Sequence, residues 1–321
     1  MSESQYDIII IGGGPAGLTA GLYTSRSGLK TLLLEKVAPG GQAALAWTIE
    51  NYPGFPEGIN GPELTERIEK QAEKYGLEIK SGEVVKVSLS SEDERSKGEL
   101  EKVIKTEKEE YKTVALIVAT GTRPRKLGVP GEERLIGKGV SYCATCDGPL
   151  FKNQNAVVVG GGDAAIEEAL FLCRFAEKTT LIHRREELRA TKIMQDRAVS
   201  NPKLEFIWKS AVTEILGETE VEGVKVRNLE TGKDLTLETK GVFVYIGTVP
   251  NTEFLKGILE MDEKGFIITD ENMGTSVSGI YACGDVRKKL LRQVVTACGE
   301  GATAGFVAGK YVQKWKYEKE M

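Results

Sequence analysis

The chain has 321 residues, of which 40% are hydrophobic, 28% are charged and 37 are glycine, with a formal net charge of −4. That length exceeds one ordinary core and points to about two domains, and so many glycines suit an α/β protein with tight strand-to-helix turns. The small negative charge removes any global electrostatic reason to expect nucleic acid or an anionic membrane as partner. Five cysteines, an odd number, with no secretion signal before the first apolar run, argue for a reducing, cytoplasmic setting.

The apolar run Tyr6–Ile11 is too short to span a bilayer and is followed by three glycines, so it reads as a buried strand. It opens a βαβ unit, DIIIIGGGPAGLTAGLYTSRSGLKTLLLEK, residues 7–36. In it Gly12, Gly14, Pro15, Ala16 and Gly17 form a G-x-G-x-x-G turn between strand and helix. The first glycine permits the turn, the second lets backbone approach a pyrophosphate, and the third lets helix pack on strand. Glu35 ends the next strand, 23 residues after Gly12, where a carboxylate can accept from ribose hydroxyls. Residues 61–79 read as an amphipathic helix with Pro62 near its start and Gly76 after its last turn. The charge-rich stretch 90–110 reads as part of a solvated β-meander with a hairpin near Gly98.

Next come ALIVATGTRP at 115–124 and its echo GVFVYIGTVPN at 241–251, both strands that break at Gly-Thr. They bracket a second βαβ unit, AVVVGGGDAAIEEALFLCRFAEKTTLIHRR at 156–185, as two crossings into an inserted domain would. The expected organisation is α/β: two Rossmann-like, three-layer dinucleotide-binding domains, one of 119–249 inserted into a discontinuous host of 1–118 and 250–321.

The second loop holds Gly160, Gly162, Asp163, Ala164 and Ala165. Its acid is missing: 23 residues after Gly160 stand His183, Arg184 and Arg185, with Arg189 beyond. Guanidinium forks pair with phosphate oxygens, so this loop prefers a 2′-phosphate and NADP(H) over NAD(H). His183, the single histidine, is assigned to cofactor contact or to packing. An acidic ribose clamp in one domain and a basic one in the other imply two dinucleotides, FAD in the host and NADPH in the insert. At 279–305 a short strand delivers Gly284 and Asp285, and a small-residue helix opens near Arg292 and Gln293; Asp285 is placed to accept from ribityl hydroxyls.

In SYCATCDGPL, residues 141–150, Cys143 and Cys146 lie two residues apart and Asp147 follows. No second C-x-x-C completes a metal set, and Cys173, Cys283 and Cys298 sit singly in apolar or small-residue runs, so no metal is expected and those three read as packing residues. A dithiol that makes and breaks fits the compartment and the two dinucleotides. Asp147 is either its proton donor or a helix cap.

Taken in order, GGGPAG, PGGQ at 39–42, ENYPGF at 50–55, CATCDG, GGGDAAIEEA, HRREELR and GDVR…RQ resemble the low-molecular-weight thioredoxin reductases over essentially the whole chain. The resemblance implies a homodimer whose subunits pass hydride from NADPH to FAD and then electrons to the Cys143–Cys146 disulfide and a thioredoxin-like protein. It makes Cys146 the flavin-facing sulfur, Cys143 the interchange thiol and Asp147 the acid for the departing thiolate. It adds Gly41, Gln42, Asn51, Arg292 and Gln293 to the flavin contacts, and makes the Gly-Thr crossings at 121–122 and 247–248 hinge candidates for a rotating NADPH domain. Where some members follow CATCDG with two aromatic residues, this chain has Pro149-Leu150 before Phe151. That leaves open a glutaredoxin-like or peroxide-detoxifying disulfide protein as acceptor, and a redox-sensing NADPH-binding flavoprotein as the non-catalytic alternative.

Overall fold

The computed structural model describes residues 4–46, 48–89 and 101–321. The hairpin expected near Gly98 lies outside them. The chain divides into two compact units, one of residues up to Arg123 together with Val249 onward, the other Pro124–Thr248. Ala119 and Thr120 stay with the first unit. The Ala119 N–H donates to the Ile11 carbonyl at 2.8 Å, and the Thr120 hydroxyl donates to the Asn251 carbonyl at 2.8 Å. The two crossings form a pair of short strands, Thr122–Pro124 and Thr248–Pro250.

In the first unit, five parallel strands lie side by side in the order Glu78–Ser81, Thr31–Glu35, Ser4–Ile11, Glu110–Val118, Ile280–Ala282. Strands buried on both faces need apolar residues at every position, which is why Ile8–Ile11 and Leu32–Leu34 are unbroken aliphatic runs. Ile8, Ile10 and Leu33 face a core shared with the helices Pro15–Arg26, Gly61–Glu73 and Val294–Glu320. Ile9, Ile11, Leu32 and Leu34 face a second core with Val87, Ile104 and Leu255. That second layer comes from an antiparallel meander, Val84–Leu89, Lys102–Thr106 and the first half of Glu110–Val118.

In the second unit, the parallel order is Leu204–Ile207, Lys178–Ile182, Asn155–Gly160, Gly241–Tyr245, Val140–Ser141. Val158 and Phe243 face the helix Asp163–Leu172, whereas Val157, Val159, Val242 and Val244 face a three-stranded antiparallel sheet built from residues 210–238. Each unit is therefore a parallel sheet covered on both faces. In each, chain order reverses beside the first strand, between Ser4–Ile11 and Glu110–Val118 and between Asn155–Gly160 and Gly241–Tyr245. Carboxyl ends at such a reversal form a crevice for ligands. Both glycine loops sit there. Among the described residues no helix is long and apolar enough to cross a membrane.

Candidate functional site: two glycine loops and a disulfide

Gly12 has φ +105°, and a Cβ on it would lie 2.4 Å from the Ala119 carbonyl oxygen, so only glycine fits this turn. A Cβ at Gly17 would meet the Gly12 carbonyl oxygen at 1.9 Å, which is how closely the helix Pro15–Arg26 approaches the strand. Gly14 caps that helix without a side-chain hydrogen bond and its first turn carries no acid, so its N–H groups and dipole are free for an anion. Glu35 frames the loop: Oε2 accepts the Gly13 N–H at 2.6 Å and Oε1 the Val37 N–H at 3.1 Å.

Of the other residues expected around a flavin dinucleotide, Gly41 and Gly284 approach the same loop, and the rest contact one another or lie exposed. Gly41 approaches Gly14 closely, and a Cβ on Gly284 would sit 2.8 Å from the Ala16 methyl. Gln42 is exposed. Asn51 donates to the Gln293 side chain at 3.0 Å across 242 residues of sequence, and Gln293 caps the terminal helix through a reciprocal box with Thr296. Arg292 stacks over the Phe266 ring at 4.1 Å, and its Nε reaches the Asp285 carbonyl at 3.4 Å. Asp285 Oδ1 is buried without a hydrogen bond, and burial raises its carboxyl above the ordinary range. Lys289 stands 3.3 Å from that oxygen as an ion pair lacking hydrogen-bond geometry. A buried acceptor beside an open helix terminus fits a polyhydroxylated, phosphorylated ligand such as FAD.

Sequence reasoning missed the charges beneath Asp285. Glu300 accepts the Gly284 N–H at 2.8 Å and Arg287 at 2.8 Å, and Lys289, only 5% exposed, lies 3.3 Å from it. Spacing along the terminal helix gave no sign that this carboxylate turns inward onto Gly284.

In the second unit, Gly160 cannot carry a side chain because its Cβ would meet the Tyr245 carbonyl oxygen at 2.4 Å. Gly162 opens the helix Asp163–Leu172 without a side-chain cap and with nothing within 4 Å of a Cβ, leaving room for a phosphate. The segment after the strand Lys178–Ile182 is stapled over the loop. Arg189 N–H donates to the Gly161 carbonyl at 2.7 Å, and Asp163 Oδ1 accepts both the Thr191 N–H at 2.7 Å and its hydroxyl at 2.8 Å. His183 packs underneath: it is 4% exposed, meets Trp208 edge-on, and lies so close to Gly161 that a Cβ there would be 2.3 Å from its ring. Burial and the Arg189 charge lower its pKa, so the ring is neutral at pH 7. Of the two roles left open for His183, packing is the one its surroundings fill.

Arg184, Arg185 and Arg189 line a cleft of about 540 Å³ together with Glu186, Lys209 and Glu230. Lys209, also missed in the sequence, pairs with Glu186 and Glu230 at 2.8 Å each. Three arginines lining one cleft, the last of them tied by its backbone to the glycine loop, match a phosphorylated ribose and so fit NADPH.

Cys143 and Cys146 are joined as a disulfide around the short helix Ala144–Asp147. Cys143 Sγ is itself the cap, accepting the Cys146 N–H at 3.2 Å. Asp147 closes the turn and makes no side-chain capping bond to the 3₁₀ turn that follows. Phe151 is core, packed edge-on against Phe243, while Leu150 beside the disulfide is 75% exposed. Cys173 and Cys283 are buried, and burial pushes both thiols up, Cys283 to about 12, so neither forms a thiolate near neutral pH.

Comparison with known proteins meets this geometry. Residues 6–301 match the family model described as pyridine nucleotide-disulphide oxidoreductase. A thioredoxin reductase of Peptoclostridium acidaminophilum is 49% identical over 319 residues, covering 97% of this chain and 98% of the relative. That of Bacillus subtilis is 46% identical over 316 residues, covering 98% and 97%. The crystal structure of Lactococcus lactis thioredoxin reductase superposes with a TM-score of 0.91 at 46% identity, covering 96% of this chain and 99% of the other. The chain belongs to the pyridine nucleotide-disulphide oxidoreductase family, among the thioredoxin reductases.

Proposed function

We propose that the chain is an NADPH-dependent thioredoxin-disulfide reductase, with FAD held by the first unit and NADPH by the second. The observation that carries the reading is a disulfide lodged in the same compact unit as a glycine loop answered by arginines instead of an acid. When bound, FAD supplies a ring that takes hydride from the nicotinamide and yields an electron pair to a disulfide.

The chain's own residues do the rest. The loop of Gly12, Gly14 and Gly17 holds one pyrophosphate against its helix terminus, Glu35 orients the adjoining ribose, and Asp285 accepts from the ribityl chain. Arg184, Arg185 and Arg189 hold the 2′-phosphate that distinguishes NADPH from NADH. Once the disulfide is reduced, Cys143 is the attacking sulfur, because the Cys146 N–H that already points at it stabilises a thiolate there. Its attack forms a bond to one sulfur of the substrate disulfide and expels the other, which takes a proton from Asp147. Cys146 then attacks Cys143, restoring the internal disulfide and releasing the reduced substrate.

We also infer a homodimer in a reducing, cytoplasmic compartment. Tyr23 and Phe306, 40% and 54% exposed, are apolar residues on neighbouring helices of the first unit, and an ultracentrifuge should report twice the chain mass. The enzymatic test is NADPH consumption with oxidised thioredoxin as the acceptor. Steady turnover supports the reading. Turnover of a small aromatic disulfide alone would redirect it to another carrier protein, and no turnover of either would end it.

A further inference from the structure

The helix Asp163–Leu172 presents its N-terminus to the second glycine loop, but its flank serves a different neighbour. Glu167 is exposed, whereas Glu168 is turned inward, and the helix packs against the turn Ala144–Asp147. Glu168 Oε2 is buried and accepts no hydrogen bond. Facing its carboxyl are the Tyr245 hydroxyl and the backbone amides of Ala144 and Thr145. Tyr245 ends the strand Gly241–Tyr245, and its hydroxyl oxygen accepts the Ala144 N–H at 2.7 Å. Ala144 directly follows Cys143. A carboxyl and a phenol thus stand behind the very turn whose ends are the two sulfurs, and nothing in the reaction described above uses them.

A carboxylate with an unsatisfied oxygen in a buried site is costly, and such a group stays only where its protonation can change or its charge is answered. The titratable groups facing Glu168 are Glu167 on its own helix and Tyr245 from the strand; Asp147, from the short turn, acts on the Tyr245 hydroxyl, and the cysteines flank the Ala144 and Thr145 amides that face the carboxyl. Burial first, then the Glu167 charge, raises the Glu168 carboxyl to about 7, against the smaller opposing pull of Tyr245 and the two amides.

We propose that Glu168, held with Tyr245 behind the Cys143–Cys146 turn, is a proton store coupled to the dithiol: it binds a proton when the disulfide is reduced and releases it when the disulfide re-forms. The inference rests on the reductase reading, in which these cysteines cycle. Reduction breaks the S–S bond with the electron pair that NADPH provides, leaving one thiol and one thiolate once a single proton has been taken up. The new negative charge cannot comfortably coexist with a second one nearby in a low-dielectric site, so the Glu168 carboxylate takes a further proton from solvent. When a substrate disulfide accepts the electron pair and the internal bond re-forms, the thiolate charge disappears and Glu168 gives that proton back. Glu168 is a positioning residue for charge, acting through the turn, while Asp147 remains the donor to the departing sulfur.

The test is the reduction potential of the Cys143–Cys146 couple in the FAD-loaded enzyme. It is equilibrated with reduced and oxidised dithiothreitol from about pH 5.5 to 8.5, trapped by alkylation and read by mass. Wild type and Glu168→Gln should coincide at the acidic end, where the carboxyl is neutral in both redox states. Above about pH 7 the variant should become easier to reduce, because glutamine places no negative charge behind the thiolate. A tenfold change in the dithiol–disulfide constant, about 30 mV for a two-electron couple, is the expected size. Glu168→Asp should restore the wild-type profile. Tyr245→Phe, which removes the facing hydroxyl whose pull favours the charged carboxyl, should move the bend to higher pH with flavin retained, and it serves should Glu168→Gln fail to fold. Potential–pH curves for Glu168→Gln and wild type that stay parallel throughout, or a bend unmoved in Tyr245→Phe, would overturn the proton store. An NADPH titration that leaves the cysteines oxidised would instead sink the reductase reading, because dithiothreitol addresses the disulfide without NADPH.

Discussion

Arg184 and Arg185 are exposed and line a cleft with Arg189, whose backbone N–H is bonded to the Gly161 carbonyl of the second glycine loop. Replacing both with alanine should weaken NADPH binding by about 1.5–3 kcal/mol for each charge-assisted bond lost, and should leave NADH affinity nearly unchanged. Titrations with the two nucleotides decide it, and equal losses would show that the arginines support the loop and do not read the 2′-phosphate. The sequence points to these residues because a βαβ unit fixes the distance from glycine turn to ribose clamp, and just past that offset, after His183, arginines stand where the first loop has Glu35. Lys209 and Glu230 reach the same cleft but carry no such offset. Glu300 was hidden for a related reason: its partner Gly284 lies 16 residues away, and only the fold turns the carboxylate toward it. Glu168 sits inside the GGGDAAIEEA motif with nothing to single it out, since helical spacing does not reveal that Tyr245 and the Ala144 amide face it.

Among the elements, the strands read most clearly from sequence, because parallel strands covered on both faces demand continuous aliphatic runs such as Ile8–Ile11 and Val157–Val159. The antiparallel sheet built from residues 210–238 gave no comparable signal: one of its faces is wet, and Lys225 and Arg227 alternate there with the buried Val224 and Val226. The terminal helix Val294–Glu320 was visible as a small-residue helix, but its partner was not. Gly301 and Gly305 lie against the Ala16 and Ala20 carbonyls, where a Cβ would come within 2.2 and 2.7 Å. Such closeness brings Gly284 and the Gln293 cap to the first glycine loop. Gly301→Val should therefore cost at least about 1–3 kcal/mol through overpacking and should loosen FAD. Gly299→Ala, one turn edge away with nothing within 4 Å, should be neutral or gain up to about 1 kcal/mol of helix propensity. Melting temperature and flavin retained after gel filtration distinguish the two. A Gly301→Val protein that melts like wild type would mean that this helix pair is free to shift apart.

For the molecule as a whole, the decisive quantity is how many electron pairs it stores. Its three other cysteines cannot add to the capacity easily: Cys173 and Cys283 are buried with raised pKa values, and Cys298, half-buried, lies in a different unit from Cys173. The capacity should therefore be two pairs, one on the bound flavin and one on Cys143–Cys146. An anaerobic titration of the oxidised holoenzyme with NADPH should accordingly need about two equivalents per flavin for complete reduction. In Cys143→Ser the requirement should fall to about one, with flavin still reduced by NADPH and disulfide turnover abolished. The pair of titrations separates two claims that turnover alone merges. If wild type takes only one equivalent, the disulfide is electronically silent and the chain is a flavoprotein with a structural or sensing cysteine pair. If wild type takes two and Cys143→Ser still turns over disulfide substrate, the dithiol is real but Cys143 is not the interchange thiol. In that case Cys146 would have to attack the substrate, and the Cys146 N–H bond to Cys143 Sγ would serve the turn's geometry alone.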